Sequence, residues 1–228
     1  MDGRTAFITG GTGGLGVAVT AAFRGAGWRV VVPVFGEQRL PDDPAVELVR
    51  ADLTDPAAVA SAMAIAAGDR TCPLGAVVNL VGGFAAGGRV HETPVEEFEA
   101  QLRLNLRPTY LVTAAGLPHL VAAGGGAVVC VSSRAGEQPF AGAAGYVTAK
   151  AAVLAFTESV AVEYREDRVR ANAVLPSVID TPANRAAMPD ADPGRWVSPA
   201  ELAATILFLC GEQARSITGA RIRVYGRA

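Results

Sequence analysis

Tyr146 and Lys150 stand four residues apart in the run Tyr146-Val147-Thr148-Ala149-Lys150. On a helix that spacing puts both side chains on one face. A free tyrosine titrates at about pH 10, too high for proton transfer at neutral pH; a neighbouring ammonium stabilises the phenolate and lowers that value. Lysine's compact three-donor head can also hold a ribose hydroxyl, which arginine's rigid fork does not imitate. Lys150 is the one lysine in a chain with 20 Lys and Arg residues, the other 19 being arginine. A second candidate lies near the start, in Thr9-Gly10-Gly11-Thr12-Gly13-Gly14-Leu15-Gly16, which carries five glycines in eight residues. Glycines let a backbone turn tightly and approach a pyrophosphate, and a following helix offers free N–H groups and the positive end of its dipole. A tight turn without a ligand would use the same residues; a strand before and a helix after favour the phosphate cradle.

Such groups need rigid elements to hold them. Residues 5–9 predict a short strand that stops at the glycines, and residues 14–26 a helix with Leu15, Val19, Ala22 and Phe23 on one face and Gly27 past its end. Residues 29–35 form a β-branched run of the kind buried on both faces of a parallel sheet. A loop follows over 36–46, with Pro41, Asp42, Asp43 and Pro44, then a strand at 47–51. Asp55-Pro56 opens a helix to about Ala67. Further strands are predicted at 76–81, 126–132, 169–175 and 220–225. Further helices are predicted from Thr93-Pro94 to about Ala123, kinked at Pro108 and Pro118, and at 145–165 and 199–209. Seven strands alternating mostly with helices, without a hairpin signal, describe an α/β fold: a doubly wound, seven-stranded parallel sheet with helices on both faces. Such sheets bind ligands beyond the C-terminal ends of their strands, where the strand order reverses.

Composition removes several classes. The 228 residues are 50% hydrophobic and 18% charged, with a net charge of −2. That balance offers no basic excess for a nucleic-acid backbone. His91 and His119 are far apart and no Cys-x-x-Cys occurs, so a zinc site is not expected. Cys72, Cys130 and Cys210 are odd in number and set among apolar residues, as buried free thiols of a reducing compartment are. The first strand starts too early for a secretory signal, and no apolar run reaches the 18 or so residues of a membrane span. The expectation is a cytoplasmic protein with no membrane or nucleic-acid partner.

The ordered motifs resemble the short-chain dehydrogenase/reductase family over essentially the whole chain. Thr9, Gly10, Gly14 and Gly16 fit its Thr-Gly-x-x-x-Gly-x-Gly loop. Asp52-Leu53 looks like its adenine-contacting pair, and Asn79-Leu80-Val81-Gly82-Gly83 resembles its Asn-Asn-Ala-Gly segment with the middle residues replaced. Asn105, Ser132-Ser133, Tyr146-x-x-x-Lys150, Asn172 to Pro176 and Ile217-Thr218-Gly219 complete the likeness. The resemblance implies a single Rossmann domain over 1–228 and an NAD(H)- or NADP(H)-dependent reaction between a carbonyl and an alcohol. It implies Tyr146 as acid/base, Lys150 on the nicotinamide ribose, Ser133 orienting the carbonyl, and Asn105 supporting a relay water. Ser132 reads as structural. The implied nucleotide site comprises Thr9, Gly10, Thr12, Gly14, Leu15, Gly16, Asp52, Leu53, Asn79, Val81, Gly82, Tyr146, Lys150, Pro176, Val178 and Thr181.

Cofactor choice stays open at this point. Where NAD-type members carry an acid after the second strand, this chain has Val34, followed by Phe35; Glu37 and Arg39 argue for opposite cofactors. Residues 180–197 form a short substrate lid whose Asp-Thr-Pro-x-Asn-Arg-x-x-Met-Pro pattern resembles the dihydropteridine-reductase branch, although that branch lacks a serine at the position of Ser133. Pocket candidates are Phe84, Arg134, Phe140, Val178, Met188 and Trp196. A pteridine, quinone or 3-oxoacyl reductase is the alternative within enzymes, and a non-catalytic dinucleotide sensor or scaffold the alternative outside them. The resemblance further implies a homodimer or homotetramer through the helices carrying Asn105 and Tyr146, with Ala149, Ala151, Ala152 and Ala155 permitting close approach.

Overall fold

The computed structural model describes residues 3–37, 40 and 43–227; Arg39, Pro41 and Asp42 lie outside them. Seven strands form one sheet: β1 (Thr5–Thr9), β2 (Arg29–Val34), β3 (Val46–Arg50), β4 (Leu74–Asn79), β5 (Gly126–Val131), β6 (Val169–Pro176) and β7 (Arg221–Val224). All pairings are parallel, in the order β3-β2-β1-β4-β5-β6-β7. The order reverses at β1, which lies between β2 and β4. Helices α1 (Gly16–Gly25) and α7 (Pro199–Cys210) cover one face, packing Val19, Phe23, Leu202 and Ile206 on Ala6, Ile8, Val32 and Val78. Helices α2 (Pro56–Ala67), α4 (Arg107–Ala122) and α5 (Ala144–Glu163) cover the other, around Phe7, Val31, Val77 and Val128. The expected single α/β domain, doubly wound and all parallel, is the architecture observed.

Local chemistry explains the starts and stops. Asp55 accepts a hydrogen bond from the Ala57 amide at 3.0 Å, with Pro56 first in α2. Ser198 does the same for α7 through Ala200, with Pro199 first in that helix. Gly27, at φ +82°, supplies the left-handed turn after α1.

Three expectations change. The helix expected from residue 93 to 123 is two, α3 (Val95–Asn105) and α4, joined at Leu106. Pro108 has no N–H for the Leu104 carbonyl and its ring would crowd that oxygen, so the chain restarts rather than kinks, whereas Pro118 stays inside α4. β4 ends at Asn79 instead of Val81, because the Thr9 hydroxyl accepts from the amides of Leu80 (3.0 Å) and Val81 (3.4 Å) and draws them off the ladder. The lid contains a further short helix, α6 (Pro182–Ala187), capped by Thr181. Cys130 and Cys210 are buried free thiols as expected, but Cys72 is only half-buried. Ala149 is wholly buried inside the chain and so is not available to an intermolecular contact. Among the described residues no helix is long and apolar enough to cross a membrane, and no acid, His and Cys group could hold a metal.

Candidate active site

The glycine loop leaves β1 through Gly10, at φ +66°, and enters α1 at Gly16. A Cβ at Gly16 would lie 1.9 Å from the Gly10 carbonyl oxygen, so only glycine lets the loop fold against the helix start. Thr20 ties the loop from behind, donating to the Gly11 carbonyl at 3.2 Å. Leu15, at the N-cap of α1, makes no side-chain capping bond, and Gly13 and Gly14 are exposed there. Thr12 and Leu15 are half-buried in the same loop. The loop has the form that suits a pyrophosphate and is walled on the lid side by Thr181, whose methyl would be 2.9 Å from a Cβ at Gly14.

Across the crevice, α5 carries Tyr146 and Lys150 on one face, with the Lys150 ammonium 5.9 Å from the Tyr146 ring centre. Ser133 follows β5, accepts the Ala135 amide at 3.1 Å, and lies close enough to the Tyr146 hydroxyl to influence its titration. Lys150 is 6% exposed and donates to the Val131 carbonyl at 3.2 Å. Ser132 has the structural part expected of it, donating to the Lys150 carbonyl at 2.7 Å and fixing that turn of α5. Gly82 closes the group: a Cβ there would be 2.6 Å from Asn105 Oδ1 and 3.0 Å from Lys150 Nζ.

The electrostatics differ from expectation. Burial pushes the Tyr146 hydroxyl above its ordinary value, with the nearby Ser133 hydroxyl partly opposing it, so the phenol is not lowered by Lys150 in this structure. Burial instead lowers Lys150 from 10.5 to about 8, partly opposed by the nearby Cys130 thiol. Desolvation disfavours whichever form is charged, and here it sets the direction for both groups.

Asn105 is buried with its amide already engaged: Oδ1 accepts from the Gly83 amide at 3.1 Å, and Nδ2 donates to the Gln101 carbonyl at 3.1 Å. It therefore braces the exit of β4 against the end of α3. Gln101, one turn earlier, escaped the motif reading, though its i, i+4 spacing to Asn105 could have marked it. Asn79 is not at the crevice. Strand alternation turns its side chain to the α4 side, where it donates to Thr113 at 2.9 Å and its Oδ1 is buried without a partner. Leu53 likewise packs on the α2-side core. Asp52 stays exposed past β3, its carboxylate accepting from the Thr54 amide (2.8 Å) and hydroxyl (2.7 Å), which hold its pKa low. Val81 faces the Gly10 turn, Pro176 is the buried end of β6, and the Val178 carbonyl accepts from Val197 at 2.9 Å, joining the two ends of the lid.

Of the pocket candidates, Phe84 and Phe140 are brought together with the site. The Phe84 ring stands edge-on to Tyr146 at 5.0 Å and tilted to Phe140 at 6.2 Å. Arg134 instead lies over the Tyr225 ring at 5.8 Å. Met188 and Trp196 are part-exposed in the lid, where Arg185 grips Asp180 through two hydrogen bonds of 2.5 and 2.8 Å.

A glycine-rich turn at a strand-order reversal, facing half-buried Ser133 and Tyr146 and a buried Lys150, is the arrangement of a dinucleotide-binding oxidoreductase. The comparisons give the family. A family model described as enoyl-(acyl carrier protein) reductase matches residues 10–226. The 2-(R)-hydroxypropyl-CoM dehydrogenase of Xanthobacter autotrophicus is 32% identical over 98% of this chain and 97% of its own. The cis-4-hydroxycyclohexanecarboxylate dehydrogenase of Sinomonas cyclohexanicum is 34% identical over 98% and 95%. A solved short-chain dehydrogenase/reductase family oxidoreductase from Burkholderia thailandensis superposes with a TM-score of 0.83 at 32% identity, over 98% of this chain and 91% of that one. The chain belongs to the short-chain dehydrogenase/reductase family and is an NAD(P)-dependent oxidoreductase acting between alcohols and carbonyls.

Proposed function

We propose that this protein is a Tyr-x-x-x-Lys type reductase or dehydrogenase of a small secondary alcohol and its ketone, with Tyr146 as its acid/base. The observation carrying this reading is the placing of Tyr146 and the buried Lys150 on one face of α5, with Ser133 beside them, on the far side of the crevice from the glycine cradle. The cradle fits a dinucleotide by its forced Gly16 and by the exposed backbone of Gly13 and Gly14 at the helix start, and Thr9, Gly10, Thr12, Gly14, Leu15, Gly16, Val81, Gly82 and Thr181 would line it. When bound, the nicotinamide supplies or accepts the hydride.

The chain's own residues handle the proton. The raised pKa keeps Tyr146 protonated at neutral pH, which suits it to give its proton to the carbonyl oxygen as that oxygen gains charge. Ser133 holds the same oxygen from its second side. Lys150 offers its donors to a ribose hydroxyl. Asn105 is a positioning residue that keeps Gly82 and Gly83 out of the way of that ammonium.

Both relatives' names specify a hydroxyl on a small carbon skeleton, which favours a secondary alcohol over a pteridine. The lid over 180–197, despite its likeness to the dihydropteridine-reductase branch, then selects the substrate by shape, with Phe84 and Phe140 as its apolar wall. A homo-oligomer through α3, α4 and α5 fits their exposed aromatic face, and free Cys72, Cys130 and Cys210 fit a reducing, cytoplasmic setting. The test is Tyr146→Phe, assayed on a panel of hydroxy acids, ketones, quinones and pterins. Turnover should fall by about 10³-fold while nucleotide affinity is kept. Undiminished turnover would remove Tyr146 from the chemistry; tight nucleotide binding with no hydride transfer in the wild type would leave a sensor.

A further inference from the structure

We infer that Arg50, the last residue of β3, is the ligand of a 2′-phosphate on the adenosine ribose, and that the protein therefore prefers NADP(H). The inference rests on the nucleotide-binding reading above and adds to it the cofactor and the residue that selects it.

The argument starts from register. β2 and β3 run parallel with Val34 opposite Arg50, so the two side chains emerge side by side at the C-terminal edge of the sheet. Val30, Val32 and Val34 lie in the core beneath α1 and α7, as does Val46 at the start of β3. Strand alternation therefore puts Arg50, four residues after Val46, on that same face, toward which the glycine loop turns into α1. In doubly wound folds a carboxylate at the end of the second strand bonds the ribose 2′-hydroxyl, and a nearby arginine accommodates a 2′-phosphate. Here the end of β2 is apolar and closed: Val34 is buried and offers no acceptor. A cation stands one strand further out, about 5 Å away across the ladder. Its long side chain can lean over Val34 to the position a ribose hydroxyl would take.

The surroundings leave that cation available. Arg50 is exposed and makes no hydrogen bond or ion pair among the described residues. Two of the described carboxylates nearby are engaged. Asp43 is held by Arg24 and by the Ala45 amide, and Asp52 by Thr54. Glu37 is exposed beyond Gly36, which at φ +82° turns the chain after Phe35. An arginine fork on a phosphate is a bidentate, charge-assisted contact, and no residue described at this edge gives a 2′-hydroxyl an equivalent one.

The experiment is equilibrium binding by calorimetry, with adenosine 2′,5′-bisphosphate and ADP as probes, then NADPH and NADH. Wild type should bind the 2′-phosphorylated member of each pair at least about 10-fold more tightly, with the difference shrinking as salt rises. Arg50→Gln should remove most of that preference and leave ADP and NADH affinity unchanged. Equal wild-type affinities, or an Arg50→Gln protein that discriminates as well as wild type, would overturn the inference. So would a Glu37→Gln variant that loses NADH affinity, which would hand the ribose to Glu37. Failure of all four nucleotides to bind would instead sink the nucleotide-binding reading. Arg50 lies on an exposed edge, so thermal unfolding of Arg50→Gln should match wild type and separate lost recognition from lost folding.

Discussion

Lys150 is the residue at which burial and chemistry pull hardest against each other. Its ammonium is 6% exposed with one carbonyl acceptor, and its pKa is lowered from 10.5 to about 8. That difference corresponds to roughly 3 kcal/mol against the charged form in the folded protein. The unfolded chain binds the proton more tightly, so the cost is full below pH 8, diminishes as pH rises, and is gone above about pH 10.5. Lys150→Met, which keeps the stem and removes the charge, should therefore make the nucleotide-free protein about 2 kcal/mol more stable at pH 7, after allowing for the lost hydrogen bond to Val131. Urea denaturation at pH 7 and pH 10 checks the sign: the gain must shrink at the higher pH. The same variant should lose turnover, and Lys150→Arg should lose most of it despite keeping the charge, because Gly82 and Asn105 crowd the amine and leave little room for a planar fork. Composition already singled out this lysine, and spacing gave its partner. The direction of both pKa shifts was not legible, because it depends on how much water Phe84, Gly82 and the end of β5 exclude.

At the scale of elements, the glycine loop makes the sharpest distinction between positions that look alike in sequence. Gly13 and Gly16 both lie in the loop, but a Cβ at Gly13 would meet the Gly10 oxygen at 3.3 Å and one at Gly16 would meet it at 1.9 Å. Gly13→Ala needs a shift of a few tenths of an ångström and should cost under about 1 kcal/mol. Gly16→Ala must part α1 from β1 and should cost about 3 kcal/mol or more, with nucleotide binding lost, as urea denaturation and calorimetry would show. The strands and helices were legible to within a residue or two wherever one periodicity ran unbroken, as in α2, α5 and β6. They were misread where a distant group decided. The Thr9 hydroxyl ends β4 from 71 residues away in sequence, and the restart at Leu106 needs Asn105 to turn inward onto Gly83. Asn79 was read as a site residue because its motif lies beside the crevice; strand parity, once the true end of β4 is known, sends it to the other face.

Across the whole molecule, a parallel sheet sorts polarity by end. Strand C-termini and helix N-termini gather at the crevice, where a dinucleotide's phosphates are favoured; helix C-termini gather at the opposite edge. Arginines collect there, Arg170 donating to the Leu209 and Gly211 carbonyls at 2.6 and 3.2 Å past the end of α7. Neither end accounts for the flank made by α3, α4 and α5. There Leu102, Leu106, Tyr110, Ala152 and Phe156 line an open apolar cleft of about 450 Å³, with Arg103 and Arg107 beside it. Tyr110 is 54% exposed, its ring 5.7 Å from that of Phe156, and a large aromatic left in water on a helix face is better buried against a second copy. The arrangement matters for activity because α3 ends in Asn105 and α5 carries Tyr146 and Lys150, so a partner stiffening these helices stiffens the site. Sedimentation velocity at micromolar concentration should give a dimer or tetramer for wild type. Tyr110→Glu, which would bury a charge in the contact, should give a folded monomer whose specific activity is low and independent of concentration, whereas that of wild type falls only on dilution. A wild-type monomer at those concentrations, with full turnover, would leave the cleft as an ordinary surface groove and the site complete in one chain.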